Sequence, residues 1–183
     1  MARVYVVSSP SGGGKTTLCN RLLAANRGLI RSVSVTTRRP RRGEVDGEDY
    51  FFVSQREFQR LKKKGGLLEW TEYARSFYGT PLKPLKELLA GGKDVILLLD
   101  VRGAREVKRR FKRAVTIFLL PPTFSDLKKR LAGRRTEGKS ELTKRLRIAE
   151  KEMTQVGSYD YVVINDDLNR ALRALQGIVR KDR

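Results

Sequence analysis

Residues 9–17 read Ser-Pro-Ser-Gly-Gly-Gly-Lys-Thr-Thr, after an apolar run, Val-Tyr-Val-Val, and before a segment with Leu18, Leu22 and Leu23 on one helical face. Strand, glycine-rich turn, Lys-Thr and helix in that order form the pattern of a phosphate-binding loop. Ser11, Gly12, Gly13 and Gly14 can turn consecutive backbone N–H groups toward one anion, and the following helix N-terminus adds positive potential. In this pattern Lys15 reaches the β and γ phosphates of a nucleoside triphosphate, the Thr16 hydroxyl ligates Mg2+, and Thr17 completes the donor set. The pattern usually starts with glycine where this chain has Ser9, so a backbone tolerant of a β-carbon, or modest strain, is expected there. Asp100 closes the apolar run 95–99, where a carboxylate can hold magnesium through water or orient a basic side chain.

Composition narrows the remaining chemistry. The 183 residues include 40 Lys or Arg, 20 Asp or Glu and no His, a net charge of +20. Imidazole acid–base catalysis, Ser-His and Cys-His nucleophile pairs and His-ligated zinc are therefore excluded. The single cysteine, Cys19, cannot form an intrachain disulfide and fits a reducing compartment. No stretch approaches the roughly 18 apolar residues that span a bilayer, so a soluble, cytoplasmic protein is expected. Pairing every acid with a base would still leave twenty cations, which points to polyanionic partners.

Short apolar runs at 4–8, 32–36, 94–100, 114–120 and 160–165 alternate with helical patterns, as in an α/β protein with a mainly parallel sheet. The runs 94–100 and 114–120 are nearly continuous in apolar residues, as expected of central strands buried on both faces. Helices are expected after Lys15, after Ser54 with its capping partner Glu57, after Thr80 as N-cap with Pro81 at the first position, at 103–112, near Thr123 and from Ser140. The charged, turn-rich segment 37–49 reads as a mobile or ligand-ordered loop, and 132–139 as the tip of a lid.

Beside the phosphate-binding loop, the run SVSVTTRRPRRGEVDGEDY together with LLEW, FYGT, DVRGA, DLKKRL and VINDDL resembles the guanylate kinases over Val4 to about Leu175. The resemblance implies a P-loop nucleoside-triphosphate hydrolase-like three-layer core (1–32, 91–123 and 156–183), an inserted GMP-binding subdomain (33–90) and a helical lid (124–155). It implies transfer of a phosphoryl group from ATP to GMP, and to dGMP, with Mg2+. The GMP phosphate would be held by Arg38, Arg41, Tyr50 and Tyr78: planar, permanently charged guanidiniums suit a phosphate dianion, and phenols add neutral donors. Guanine would be selected by Ser34, Glu69 and Thr80, with the Glu69 carboxylate accepting from N1–H and the 2-amino group. Arg134 and Arg145 match lid arginines that close on the transferring phosphate, and Asn165 lies near adenine. Family members often carry a second acidic residue where this chain has Leu98, which leaves Asp100 alone there.

Two other readings compete. One is a non-catalytic domain of the same family that binds phosphorylated peptides, against which stand Lys15, Arg134 and Arg145. The other is a nucleic-acid-binding protein on the same fold, prompted by the dense basic segment from Arg102 to Arg113. Non-specific binding at low salt follows from that charge, and no specific nucleic acid is expected.

Overall fold

The computed structural model describes residues 2–73, 75–133 and 139–182, the side chains of 139–141 excepted. In chain order the elements are β1 (Val4–Ser8), α1 (Lys15–Ala24), β2 (Leu29–Arg31), β3 (Ser34–Thr36), β4 (Tyr50–Phe52), α2 (Gln55–Lys63), β5 (Leu67–Tyr73) and β6 (Ser76–Pro81). There follow α3 (Leu82–Ala90), β7 (Asp94–Leu98), α4 (Val101–Arg110), β8 (Val115–Leu120), α5 (Phe124–Ala132), α6 (Lys139–Met153), β9 (Tyr161–Ile164) and α7 (Leu168–Lys181).

Five strands form a parallel sheet in the order β2-β7-β1-β8-β9. Because successive side chains on a strand point to opposite faces, β1 divides its residues between two cores. Tyr5 and Val7 join Ile96, Ile117 and Leu119 against Leu18 and Leu22 of α1 and Leu175 and Val179 of α7. Val4 and Val6 join Val95 and Leu97 against Leu85 of α3 and Ala104 and Val107 of α4. Each fully buried Leu, Ile or Val contributes about 1.5–3 kcal/mol relative to exposure, so these two layers hold the sheet. The continuous apolar runs of β7 and β8 occupy interior positions of the sheet, as their composition requires.

A second sheet, β4-β3-β6-β5, is mostly antiparallel and stands on its own small core of Val35, Phe58 and Leu67. The apolar run 32–36 forms β3 of this second sheet rather than a strand of the parallel one, whose edge is the short β2, and β2, β4, β5 and β6 all fall outside the apolar runs of the sequence analysis. Leu127, Leu131 and Ala149 join Leu142, Leu146 and Met153 in a separate cluster between α5 and α6. Among the described residues no helix is long and apolar enough to cross a membrane.

Ser54 and Thr123 cap their helices as expected, accepting from the backbone N–H of Glu57 and Asp126. Thr80 does not. The helix starts at Leu82 with Pro81 as its N-cap residue, while Thr80 is the penultimate residue of β6 and its hydroxyl donates to Glu69. A buried carboxylate is the stronger acceptor for that hydroxyl, and Pro81 tolerates the helix start because it lacks an N–H. The expected strand 94–100 also ends sooner, at Leu98, because Asp100 turns to cap α4 with Oδ1 on the Gly103 N–H at 2.7 Å.

Candidate active site

Parallel sheets gather ligands outside the carboxyl ends of their strands, and here β1 and β7 end side by side. After β1 the chain turns through Ser9-Pro10-Ser11 into the three glycines. Gly14, the residue before α1, has φ +85°, and a β-carbon there would lie 2.5 Å from Asn165 Nδ2. Only glycine satisfies both demands. Ser9 is accommodated without a left-handed backbone, since Arg75 is the only non-glycine residue with positive φ among those described. Its β-carbon fills the notch that a side chain at residue 13 would need, 2.8 Å from the position of that β-carbon. The loop is braced from the far edge of the sheet, where Asn165 Nδ2 donates to the Gly13 carbonyl at 2.8 Å and Arg130 donates to the Asn165 carbonyl at 2.9 Å.

Lys15 Nζ donates to the Leu99 carbonyl at 2.8 Å, which aims the ammonium at the end of β7 beside Asp100. Burial lowers its pKa, and the Asp100 carboxylate opposes that shift. Thr16 and Thr17 stand exposed on the first turn of α1.

A cavity of about 210 Å³ opens in front of this loop, between the two sheets. Seven residues singled out in the sequence line it: Ser11, Lys15, Ser34, Tyr50, Glu69, Tyr78 and Asp100. Leu98 also lines it, an apolar patch where a second carboxylate is common.

Glu69 is 5% exposed, at an irregularity in the β5–β6 pairing between Leu67 and Trp70. Its Oε1 accepts from Thr80 at 2.6 Å, and a β-carbon at Gly103 would come within 2.9 Å of its Oε2. Gly103, in the run DVRGA, is thus the floor against which this carboxylate rests. Burial pushes Glu69 up to about 7; the Thr80 bond resists the shift and the Asp100 charge adds to it.

Tyr50 and Tyr78 meet edge to face at 6.0 Å, and the Arg38 guanidinium lies 5.5 Å from the centre of the Tyr50 ring. The segment 37–49 is closed by its own acids. Glu44 takes Arg38 at 2.7 Å with one oxygen and the Arg41 backbone N–H at 2.7 Å with the other. The Arg38 hydrogen bond holds Glu44 below the usual carboxylate range. The Arg41 side chain is exposed and does not line the cavity.

Arg134 lies outside the described residues. Arg145 is half-buried on α6, seven residues before Glu152, hence on the same stripe of that helix. Glu152 reaches the cavity wall beside Lys15, where burial raises its pKa and the Lys15 charge and Ser11 amide oppose the rise. Sequence reasoning missed Glu152, Thr71 and Tyr73. The spacing of seven from Arg145 was the available signal for Glu152.

A parallel sheet bearing a phosphate loop at its carboxyl edge, facing a second pocket that joins guanidinium, phenols and a buried carboxylate, defines a P-loop kinase of a small phosphorylated substrate. The sequence profile described as guanylate kinase matches residues 1–182. A guanylate kinase of Parasynechococcus marenigrum is 46% identical over 179 residues, 98% of each chain. One of Halalkalibacterium halodurans is 44% identical over 96% of this chain and 86% of its own. The crystal structure of guanylate kinase from Anaplasma phagocytophilum superposes with a TM-score of 0.82 at 33% identity, over 99% of this chain and 86% of that one. A shikimate kinase from Bacteroides thetaiotaomicron, at 15% identity and a TM-score of 0.53, shares the fold alone. The chain belongs to the guanylate kinase family, whose reaction is the phosphorylation of GMP by ATP.

Proposed function

We propose that this chain transfers the γ-phosphoryl group of ATP to GMP, and to dGMP, in the cavity between its two sheets. The observation that carries this reading is the convergence of Lys15 and Asp100 from one sheet with Glu69, Ser34, Tyr50 and Tyr78 from the other. In this assignment 33–90 is the GMP-binding subdomain, 124–155 the lid, and the rest the core.

The attacking oxygen of GMP is already largely ionised at neutral pH, so no base is needed to activate it, in keeping with the absence of histidine. The barrier is electrostatic and positional: two anions must be brought into line and the charge on the transferred group stabilised. Ser11, Gly12, Gly13, Gly14, Thr16 and Thr17 cradle the ATP phosphates, with Asn165 acting on them through the loop it braces. Lys15 leaves the Leu99 carbonyl for the β and γ phosphates. Arg38, held in place by Glu44, turns its guanidinium to the GMP phosphate, joined by Arg41, Tyr50 and Tyr78. Glu69, set by Thr80, takes guanine N1–H and the 2-amino group, and Ser34 serves the opposite edge. Arg134 and Arg145 close from the lid.

Mg2+ fits the donors present. Thr16 offers an exposed hydroxyl and Asp100 a carboxylate, both hard oxygens, and Mg2+ binds through few protein groups while keeping water and substrate phosphates. When bound, it neutralises charge on the transferring phosphates. A soluble, cytoplasmic setting suits this chemistry and the single thiol.

ADP release in a coupled assay tests the reading: it should depend on GMP and be lost in Lys15→Ala. GMP-independent hydrolysis alone, or unchanged turnover in Lys15→Ala, would overturn it.

A further inference from the structure

Five assigned cations leave most of the +20 charge without work, and part of that surplus is gathered along α4. The end of α2 and the outer face of α4 lie on either side of a groove of about 390 Å³, lined by Lys62, Arg102, Arg110 and Trp70. On the other flank of α4 a second groove, also about 390 Å³, is lined by Arg105, Arg109 and Lys112 among others. Glu106 is the acid between them, and its one carboxylate serves two guanidiniums, Arg109 at 2.8 Å and Arg110 at 2.7 Å. Lys108 is paired with Asp160 at 2.7 Å. Glu69 reaches the first groove only as part of its wall, with one oxygen held by Thr80. The face keeps a strong net positive charge after these pairings.

Trp70 distinguishes this face from an ordinary solvated helix. It is the only tryptophan of the chain, it is 43% exposed, and Lys62 Nζ sits 3.5 Å from its ring centre. An exposed indole beside a track of cations is a platform on which an unpaired base can stack while the track follows the phosphates. A base arriving on that ring would move the Lys62 ammonium aside toward the backbone, where its charge is still used. A duplex keeps its interior bases stacked on both faces and offers an open base face only at its ends. An anionic membrane is a poorer match, because α4 buries Gly103, Ala104 and Val107 and turns only charged side chains outward, with no apolar stripe to enter a bilayer.

We propose that the α2–α4 face, with Trp70 at its centre, binds single-stranded RNA at a site separate from the nucleotide cavity. The groove lies behind Glu69, which forms the wall shared with that cavity.

The single tryptophan reports on the site directly. An oligouridylate without terminal phosphates, titrated at physiological salt with saturating ADP and GMP present, should quench the intrinsic fluorescence. A duplex of equal length, inorganic polyphosphate and phosphatidylserine vesicles should give less quenching and weaker binding. Trp70→Ala, followed by anisotropy of labelled RNA, should weaken single-strand binding about tenfold, the range expected for one stacked base, and leave polyphosphate binding unchanged. Arg109→Gln/Arg110→Gln/Lys112→Gln should flatten the dependence of log affinity on log salt by about 2, at about 0.7 per lost phosphate contact, with GMP turnover retained as proof of folding. Four results would overturn the proposal: no quenching at physiological salt, displacement of the RNA by ADP and GMP, equal binding of duplex or polyphosphate, or unaltered single-strand affinity in both variants.

Discussion

Thr80 Oγ1 donates to Glu69 Oε1 at 2.6 Å, with Thr80 fully buried and Glu69 5% exposed. The bond fixes the plane of the carboxylate that faces the cavity, and it explains why Thr80 stays in β6 instead of capping the next helix. Thr80→Val leaves Oε1 without its donor and frees the carboxylate to rotate. A buried acceptor left unpaired costs about 1–3 kcal/mol, so KM for GMP should rise about tenfold while KM for ATP is unchanged. Thr80→Ser should restore most of the loss. Steady-state kinetics with each substrate varied in turn decide this.

Burial raises Glu69 to about 7, so below that pH the unliganded protein carries it protonated and unable to accept from both guanine donors. The affinity for guanosine, which lacks the titrating phosphate, should fall as pH drops from 8 to 6. In Glu69→Gln it should be weak and flat with pH. Calorimetric titration at several pH values measures both.

The same group has a stability consequence of opposite sense. Folded Glu69 titrates near 7 and the unfolded side chain near 4.5, so between these values the native state holds the extra proton and stability falls as pH rises. Glu69→Gln should therefore unfold at higher denaturant than the parent at pH 8, by about 1–3 kcal/mol, and lose that advantage at pH 4. Urea unfolding at the two pH values tests the sign. A buried acid that lowers stability, and to which substrate binding is assigned here, is expected where function overrides packing.

Gly14→Ala should abolish ATP binding, because the left-handed φ of +85° and the approach of Asn165 Nδ2 both exclude a β-carbon. Removing the second obstacle alone is not enough. The double variant with Asn165→Ala should stay inactive, since the backbone strain persists and the Gly13 carbonyl loses its donor. Fluorescent ADP-analogue binding reads both variants.

Arg38 is held by Glu44 at 2.7 Å. If Glu44 pre-positions that guanidinium, Glu44→Ala should raise KM for GMP several-fold with kcat changed by less than about twofold, while Arg38→Lys should lower both kcat and kcat/KM because an ammonium cannot present two parallel donors. Equal behaviour of the two variants would show that Glu44 does not act through Arg38.

Four strands of the five-stranded sheet and the phosphate loop are legible in the sequence because both rest on local chemistry: continuous apolar strands, and glycines before Lys-Thr. The edge strand β2 is too short to show a pattern, and the expected run 32–36 belongs to the second sheet instead. The second sheet was not legible. Its strands β4, β5 and β6 are short or mix polar and aromatic residues without a clean alternation, and they exist because Val35, Phe58 and Leu67 bring distant segments together. Ser34, Tyr50, Glu69 and Tyr78 were named from the family resemblance, and Ser11, Lys15 and Asp100 from the loop pattern and the strand end, yet their supports were not. Gly103 under Glu69 and Asn165 on Gly13 are contacts across 34 and 152 positions, which no local pattern encodes. Thr80 misled for the converse reason: Thr-Pro is a sound local signal for a helix start, and a buried acid eleven residues away outweighed it.

Acceptor choice tests the central claim most directly. With ATP and Mg2+, a panel of GMP, IMP and AMP should show GMP strongly preferred, IMP poorer because it lacks the 2-amino group, and AMP lower by about 10⁴-fold in kcat/KM because Glu69 would stay buried and unpaired. AMP turned over as well as GMP, or IMP equal to GMP, would contradict the role given to Glu69 and with it the reading of this cavity as a guanine site.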